Sequence, residues 1–163
     1  GEIRRRKKND AGARADWMRV IELAADGPVA EAARRFDETD QHIEACKFRA
    51  ALGASMALAR AANTYLDRKA PWQAVKTDRP AAATTLWTAL TVINCLKIAL
   101  SPFLPFSSKK LHRLLGFEGS VQQAGWNWTP DMLKPDQALA APVPLFTKMD
   151  EAIVEEETER IGT

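Results

Sequence analysis

The stretch LGASMALARAANTYLDRKAPW, residues 52–72, decides the fold. Leu52, Met56, Ala59, Asn63 and Leu66 follow one another at steps of 4, 3, 4 and 3, the repeat of a single helix face. That spacing predicts a helix with these five positions as its buried stripe. The helix has to stop where Ala70 meets Pro71, because the proline ring drives the preceding residue out of the right-handed α region. A tryptophan follows at once, so Trp72 is fixed just past a helix end and cannot easily fold back onto that helix.

Upstream, Val29, Ala32, Ala33 and Phe36 predict a second helix that opens at Pro28, a residue suited to a first turn, and runs towards Ile43. Trp17, Val20, Ile21 and Ala24 fall at helical spacing within 13–25, and Asp26-Gly27-Pro28 stops that segment. Downstream, a turn at Thr77-Asp78-Arg79-Pro80 leads into a helix from about Ala82 to Leu100. It carries Leu86, Trp87, Leu90, Val92, Ile93, Leu96 and Ile98 nearly all round, the mark of a central helix. Pro102 and Pro105 break it, and Ser107 is the expected cap of a short helix from Lys109 to Leu115, closed by Gly116. Residues 117–145 are rich in Gly, Pro, Asn and Asp and predict an extended stretch, before a last polar helix from about Thr147 to Arg160.

The expected architecture is therefore all-α, a bundle of five to six helices with a wrapping C-terminal segment and a terminal helix. Its parts are a basic arm at 1–12 (mobile, or the remnant of a truncated helix), the bundle at 13–116, and a linker with a C-terminal helix at 117–163. That last part is expected to pack back on the bundle or on another domain.

Composition narrows the function. The 163 residues are 46% hydrophobic and 27% charged, with one tyrosine and eight glycines, which excludes general disorder and disfavours sheet. The net charge of +2 is small but divided: residues 1–80 hold 16 Lys and Arg against 12 Asp and Glu, residues 81–163 hold 7 against 9. The first half is the better surface for phosphate and the second for a basic protein. Cys46 and Cys95 stand far apart with no neighbouring His pair, so neither zinc nor a disulfide framework is expected. No apolar run reaches the ~18 residues of a membrane span. His42 and His112 are isolated and read as solvent-facing.

Trp72 admits two readings. Its ring either stacks on an unpaired base, or packs on the next helix as a hydrophobic staple. Arg60, Arg68, Lys69, Lys76 and Arg79 surround it in sequence and are the candidates for flanking phosphates. Asn63 and Tyr65 read as core positions. Lys109 and Lys110 stand at a helix start, where the dipole disfavours cations, and read either as simply exposed or as answering an acidic partner or phosphate. Trp126 and Trp128 read as packing residues at the bundle's open end, and the acidic run from Asp150 to Glu159 as a solvated helix face.

Four motifs then supply a resemblance. Asn63, Tyr65, Pro71 and Trp72 resemble the N-x-Y-x-x-x-x-x-P-W pattern of the methionyl-tRNA synthetase anticodon-binding domain. Phe48-Arg49-Ala50-Ala51-Leu52 is similar to that family's F-x-x-A-L. Leu100-Ser101-Pro102-Phe103-Leu104-Pro105-Phe106-Ser107 is similar to L-x-P-F-x-P-x-S, and Pro144-Leu145-Phe146-Thr147-Lys148-Met149-Asp150 to P-L-F-x-K-I-D/E. The resemblance implies that Trp72 stacks on the anticodon, with Pro71 as its support. It further implies CAU recognition on elongator and initiator methionine tRNAs, in the cytoplasm, as part of an ATP-dependent methionine-tRNA ligase.

The family also reads the first anticodon base with an Asn and an Arg on the first helix of the domain. This sequence carries no matching helix, nor the H-x-G-H and K-M-S-K-S motifs, so no catalytic residue is expected in it. ATP and methionine, with zinc as a further candidate, belong to a separate catalytic domain, which is itself an expected partner. The alternatives are the anticodon domain of a sibling synthetase, for cysteine, valine, isoleucine or leucine, or a helical protein–protein module.

Overall fold

A computed structural model of the chain describes residues 27–134, 136–147 and 150–162. The arm at 1–12 and the segment 13–25 lie outside the described residues, as do Pro135, Lys148 and Met149. Among the described residues there are seven α-helices, one 3-10 turn and no strand, so the expected all-α class holds. The helices are α1 (Pro28–Glu44), α2 (Phe48–Lys69), α3 (Pro71–Ala74), α4 (Arg79–Ala99), α5 (Pro105–Leu114), α6 (Val121–Ala124) and α7 (Glu151–Ile161).

Three of them, α1, α2 and α4, pack on one another and enclose the core. Val29, Ala32 and Phe36 come from α1, Leu58 and Ala62 from α2, and Trp87, Val92, Cys95, Ile98 and Ala99 from α4. Ala33, expected with them, is exposed. α1 opens on Pro28 at its first turn, as the sequence predicts, and closes in a turn that puts Cys46 at φ 55. There the Cys46 and Lys47 amides donate to the Ile43 and His42 carbonyls at 2.9 and 2.8 Å.

The buried face of α2 corrects the predicted stripe. It consists of Ala51, Ala54, Ser55, Leu58 and Ala62, whereas Leu52, Met56 and Asn63 are exposed and Ala59, Tyr65 and Leu66 half-buried. The reason is steric. Small side chains let α1 approach the α2 backbone closely, and the Thr39 and Ser55 hydroxyls then meet across the seam at 3.2 Å. Spacing locates a helix, but here two faces of one helix are apolar, and only the partners decide which is covered.

α4 begins at Arg79, three residues earlier than expected, because Asp78 caps it by accepting from the Ala81 amide at 3.0 Å. Twelve of its residues are buried, but Leu86 faces solvent. By length and a mean hydropathy of 1.3 it could cross a membrane, contrary to the sequence expectation, yet 61% of that stretch is buried against the rest of the protein. That burial is what a central bundle helix requires.

α5 also departs from expectation. Pro105 occupies its first turn, Leu104 stands at the N-cap without a side-chain bond, and Ser107 does not cap. Lys109 and Lys110 consequently lie in the second turn, beyond the strongest part of the dipole, and Lys110 Nζ donates to the Pro144 carbonyl at 2.6 Å. His112, expected in solvent, is buried: its Nε2 lies 2.9 Å from the Glu118 carbonyl and its ring 5.2 Å from Phe117. Glycine is required at 116, where φ is 76 and an added Cβ would enter the Ala138 carbonyl.

The extended stretch after Gly116 wraps the bundle. Trp126 stacks on Phe36 with 5.0 Å between ring centroids, and Trp128 donates from its indole nitrogen to the Thr91 carbonyl at 3.3 Å. Both are packing residues, as the sequence reading has them. Gln137 donates to the Leu115 carbonyl, and the Ala140 amide to the Leu114 carbonyl at 3.0 Å. The terminal helix starts at Glu151 with Asp150 as its cap, and none of its residues is buried.

Lys97 is a feature that periodicity could not reveal. It is buried in α4 with its ammonium 4.0 Å from the centre of the Phe117 ring, and burial lowers its pKa to about 8. Burial likewise holds His112 below its ordinary value. A base whose folded pKa is depressed binds fewer protons folded than unfolded, so its contribution is complete above the unfolded pKa and is lost as pH falls towards the folded one. For Lys97 that window runs from 10.5 down to about 8. Lys97→Met is therefore expected to raise stability at pH 7 by ~1–2 kcal/mol, discounted for partial solvation of the ammonium, and to lose that advantage above pH 10. Urea melts of both proteins at the two pH values test it. An equal or weaker Lys97→Met at pH 7 would mean that the contact with the Phe117 ring outweighs the desolvation.

Candidate nucleic-acid interface

The Pro-Trp corner is built by a left-handed residue. Ala70 has φ 40 and ψ 59, and its amide closes α2 on the Leu66 carbonyl at 2.8 Å. The sequence argument, that the residue before proline leaves the right-handed region, is met by an αL cap rather than by extended backbone. Pro71 is buried and starts α3, while the Ala70 carbonyl accepts from Gln73 and Ala74 at 2.8 and 3.1 Å. The Val75 amide bonds to the Pro71 carbonyl at 2.9 Å, and the Asp78 amide to the Ala74 carbonyl at 2.7 Å. The backbone from 70 to 78 is thus fastened at both ends.

On this corner Trp72 is 55% exposed. It is not buried as a staple, and more than half of its surface is open to solvent. Val75, three residues on and therefore on the same side of a helical turn, is exposed too, as is Leu86 on the adjoining α4. The sequence reading did not name Val75 and took Leu86 only as part of an all-round apolar helix; the i, i+3 spacing of Trp72 and Val75 was the available signal.

All five candidate cations, Arg60, Arg68, Lys69, Lys76 and Arg79, are exposed. The structure brings Arg68, Lys69, Lys76 and Arg79 to the tip, where α2 ends, α3 turns and α4 starts. Arg60 lies two turns back along α2, about 12 Å from Arg68 at 1.5 Å per residue. Among the described residues, none of the five shares an ion pair with a carboxylate, whereas Arg34 and Arg35 on α1 are held by Glu31 and Glu38 at 2.5–3.9 Å. The Arg34 guanidinium draws the Glu31 carboxyl below its usual range, which marks that cluster as satisfied within α1. Asn63, expected in the core, is exposed one turn from Arg60. No group of three or more His, Cys, Asp or Glu able to hold a metal ion occurs among the described residues. Cys46 is exposed and Cys95 buried, both as free thiols.

An alanine in the left-handed region carries roughly 1–2 kcal/mol of strain, and glycine would relieve it at a cost of ~0.5–1 kcal/mol in chain entropy. Ala70→Gly is thus expected to keep or raise stability, by at most ~1 kcal/mol, in a thermal melt. A loss larger than that would show that the Ala70 methyl is itself a packing contact.

Fold and tip together define a helical-bundle domain that presents an aromatic, basic corner. The family model described as the anticodon binding domain of methionyl tRNA ligase matches residues 24–163, and the chain belongs to that family. Among curated relatives, the methionine–tRNA ligase of Dehalococcoides mccartyi is 43% identical, over 77% of this chain and 22% of its own length. The Roseiflexus enzyme is 39% identical, over 82% of this chain and 26% of its own. The chain therefore spans about a quarter of the length of the relatives it matches. Among solved structures, the free form of Mycobacterium tuberculosis methionyl-tRNA synthetase superposes with a TM-score of 0.66 at 25% identity, over 76% of this chain and 25% of that one.

Proposed function

We propose that this domain recognises the CAU anticodon of methionine tRNAs, elongator and initiator alike, on behalf of a cytoplasmic methionine-tRNA ligase. The observation that carries the reading is the half-exposed Trp72 ring on a hydrogen-bonded corner, beside cations that share no ion pair among the described residues. An exposed aromatic ring takes a splayed base by stacking, and the surrounding ammonium and guanidinium groups take the phosphates on either side. Trp72 is the base contact, Pro71 its support, and Arg68, Lys69, Lys76 and Arg79 the flanking phosphate contacts, with Arg60 further along the backbone path. Attachment of methionine, with ATP and methionine as substrates and zinc as a candidate structural ion, is work for a catalytic domain. The exposed acidic face of α7 is the surface offered to that domain.

The test is the affinity of this chain for a methionine-tRNA anticodon stem-loop, beside a copy with the anticodon exchanged. Preference for CAU is the expected result. Equal, salt-sensitive binding to both would reduce the tip to a general basic surface.

A further inference from the structure

We propose that His112 is an acid-sensitive latch: protonation of its ring frees the Phe117–Glu118 corner, with the short helix α6 behind it, from α4 and α5, while the α1–α2–α4 core stays folded. The proposal is independent of the RNA reading. Lys97, against which the corner packs, lies about 27 Å along α4 from Arg79 at the tip.

The end of α5 holds this corner through His112 twice. The His112 carbonyl accepts from the Phe117 amide at 3.1 Å while the Gly116 amide bonds to the Arg113 carbonyl at 3.0 Å, the paired closure of a helix that ends on a left-handed glycine. The ring nitrogen Nε2 lies 2.9 Å from the Glu118 carbonyl. A carbonyl can only accept, so Nε2 carries the proton and Nδ1 keeps its lone pair. Nδ1 is buried and meets no hydrogen-bond partner among the described residues. The neutral ring is therefore the species this site fits. A second proton would have to go on Nδ1, making a buried donor and a buried charge with nothing to receive either.

The surroundings offer that charge no relief. α4 faces the site with Lys97, itself 3% exposed, whose ammonium sits 4.0 Å from the centre of the Phe117 ring; that ring lies 5.2 Å from the imidazole. Burial opposes protonation of His112 and the Lys97 charge adds to it, together outweighing the Glu118 carbonyl, which favours the proton. α6 brings Val121, Gln122, Gln123 and Ala124, none of them charged. The segment that passes Leu114 and Leu115 brings the neutral Gln137, and Asp136 before it is exposed. Lys109, Lys110 and Arg113 of α5 are exposed, as is Glu118. Turning the corner outward gives Nδ1 water to bond and the Lys97 ammonium a way to solvent. The open state then binds a proton with the ordinary histidine affinity, while the closed state resists it. A base depressed in the closed state favours that state fully above its ordinary value of 6.5, and the preference is lost as pH falls below it. Trp128, bonded to the Thr91 carbonyl at 3.3 Å, keeps the rest of the wrap in place.

The test is amide exchange in the full chain at pH 7 and pH 5, with each rate divided by that of the unfolded chain at the same pH. Protection of the Phe117 amide should fall by roughly 20-fold, while that of Val92 and Cys95 in α4 is unchanged. His112→Gln keeps an N–H donor and an acceptor but cannot titrate, and should hold Phe117 protection level across the same range. Where that variant does not fold, the ring nitrogens of wild-type His112 decide: their resonances should report the Nε2-protonated tautomer at pH 7 and a titration midpoint below 6.5. Four results would overturn the proposal. These are constant Phe117 protection down to pH 5, a fall shared by Val92 and Cys95, a fall that persists in His112→Gln, and a His112 midpoint at or above 6.5.

Discussion

Trp72→Ala is expected to weaken binding of the CAU stem-loop by ~1–3 kcal/mol, roughly 5- to 150-fold in Kd, with no loss of fold. The ring is more exposed than buried, and the bonds that set its corner are all backbone bonds from Ala70 to Asp78, so its removal leaves the local structure standing. Two accompanying results separate stacking from simple charge attraction. The salt dependence of binding should keep its slope, because an indole neutralises no phosphate. Trp72→Phe should recover part of the affinity, because a smaller ring still offers a π-face. Replacing Arg68 or Lys76 by Gln should do the opposite, flattening the salt slope with similar losses on CAU and on an exchanged anticodon. An unchanged Kd for Trp72→Ala, at preserved helicity, would remove Trp72 from the interface and leave base recognition to groups away from this corner.

The sequence made this corner legible because covalent constraints made it. A proline ends α2 whatever surrounds it, and the next residue then has no helix of its own to fold onto. The same holds for Pro28 and Pro105, which open α1 and α5 where ring geometry fits a first turn. Readings that depended on partners fared otherwise. The stripe from Leu52 to Leu66 has faultless spacing, yet the alanine-rich face beside it is the one that meets α1. Asn63 followed the stripe out to solvent. Isolation in sequence made His112 look exposed, when Phe117 and the Glu118 carbonyl, five and six residues on, return to cover it. Lys97 was unreadable for a related reason. A lysine on an apolar helix ordinarily reaches water at its tip, whereas here Phe117, twenty residues on, returns to place its ring against the ammonium.

The largest stability effect is expected from Trp128→Ala, a loss of ~3–5 kcal/mol. Trp128 is 7% exposed, lies with its ring 6.5 Å from that of Phe36, and donates to the Thr91 carbonyl within the buried middle of α4. Truncation opens a cavity of indole size between the wrapping segment and the three core helices, and leaves that carbonyl without its side-chain donor. Trp128→Phe divides the two contributions: it fills most of the cavity but cannot donate, so its smaller loss, ~1–2 kcal/mol, measures the hydrogen bond and the residual void. Denaturant melts supply the totals. The kinetics carry further information, because the segment from 117 to 146 joins α1 and α4 from a distance along the chain and its contacts close long loops. Such contacts form late, so the substitution should act mainly by speeding unfolding rather than by slowing folding. If the folding arm moved instead, the wrap would belong to the nucleus, and α1, α2 and α4 could not assemble before it arrives.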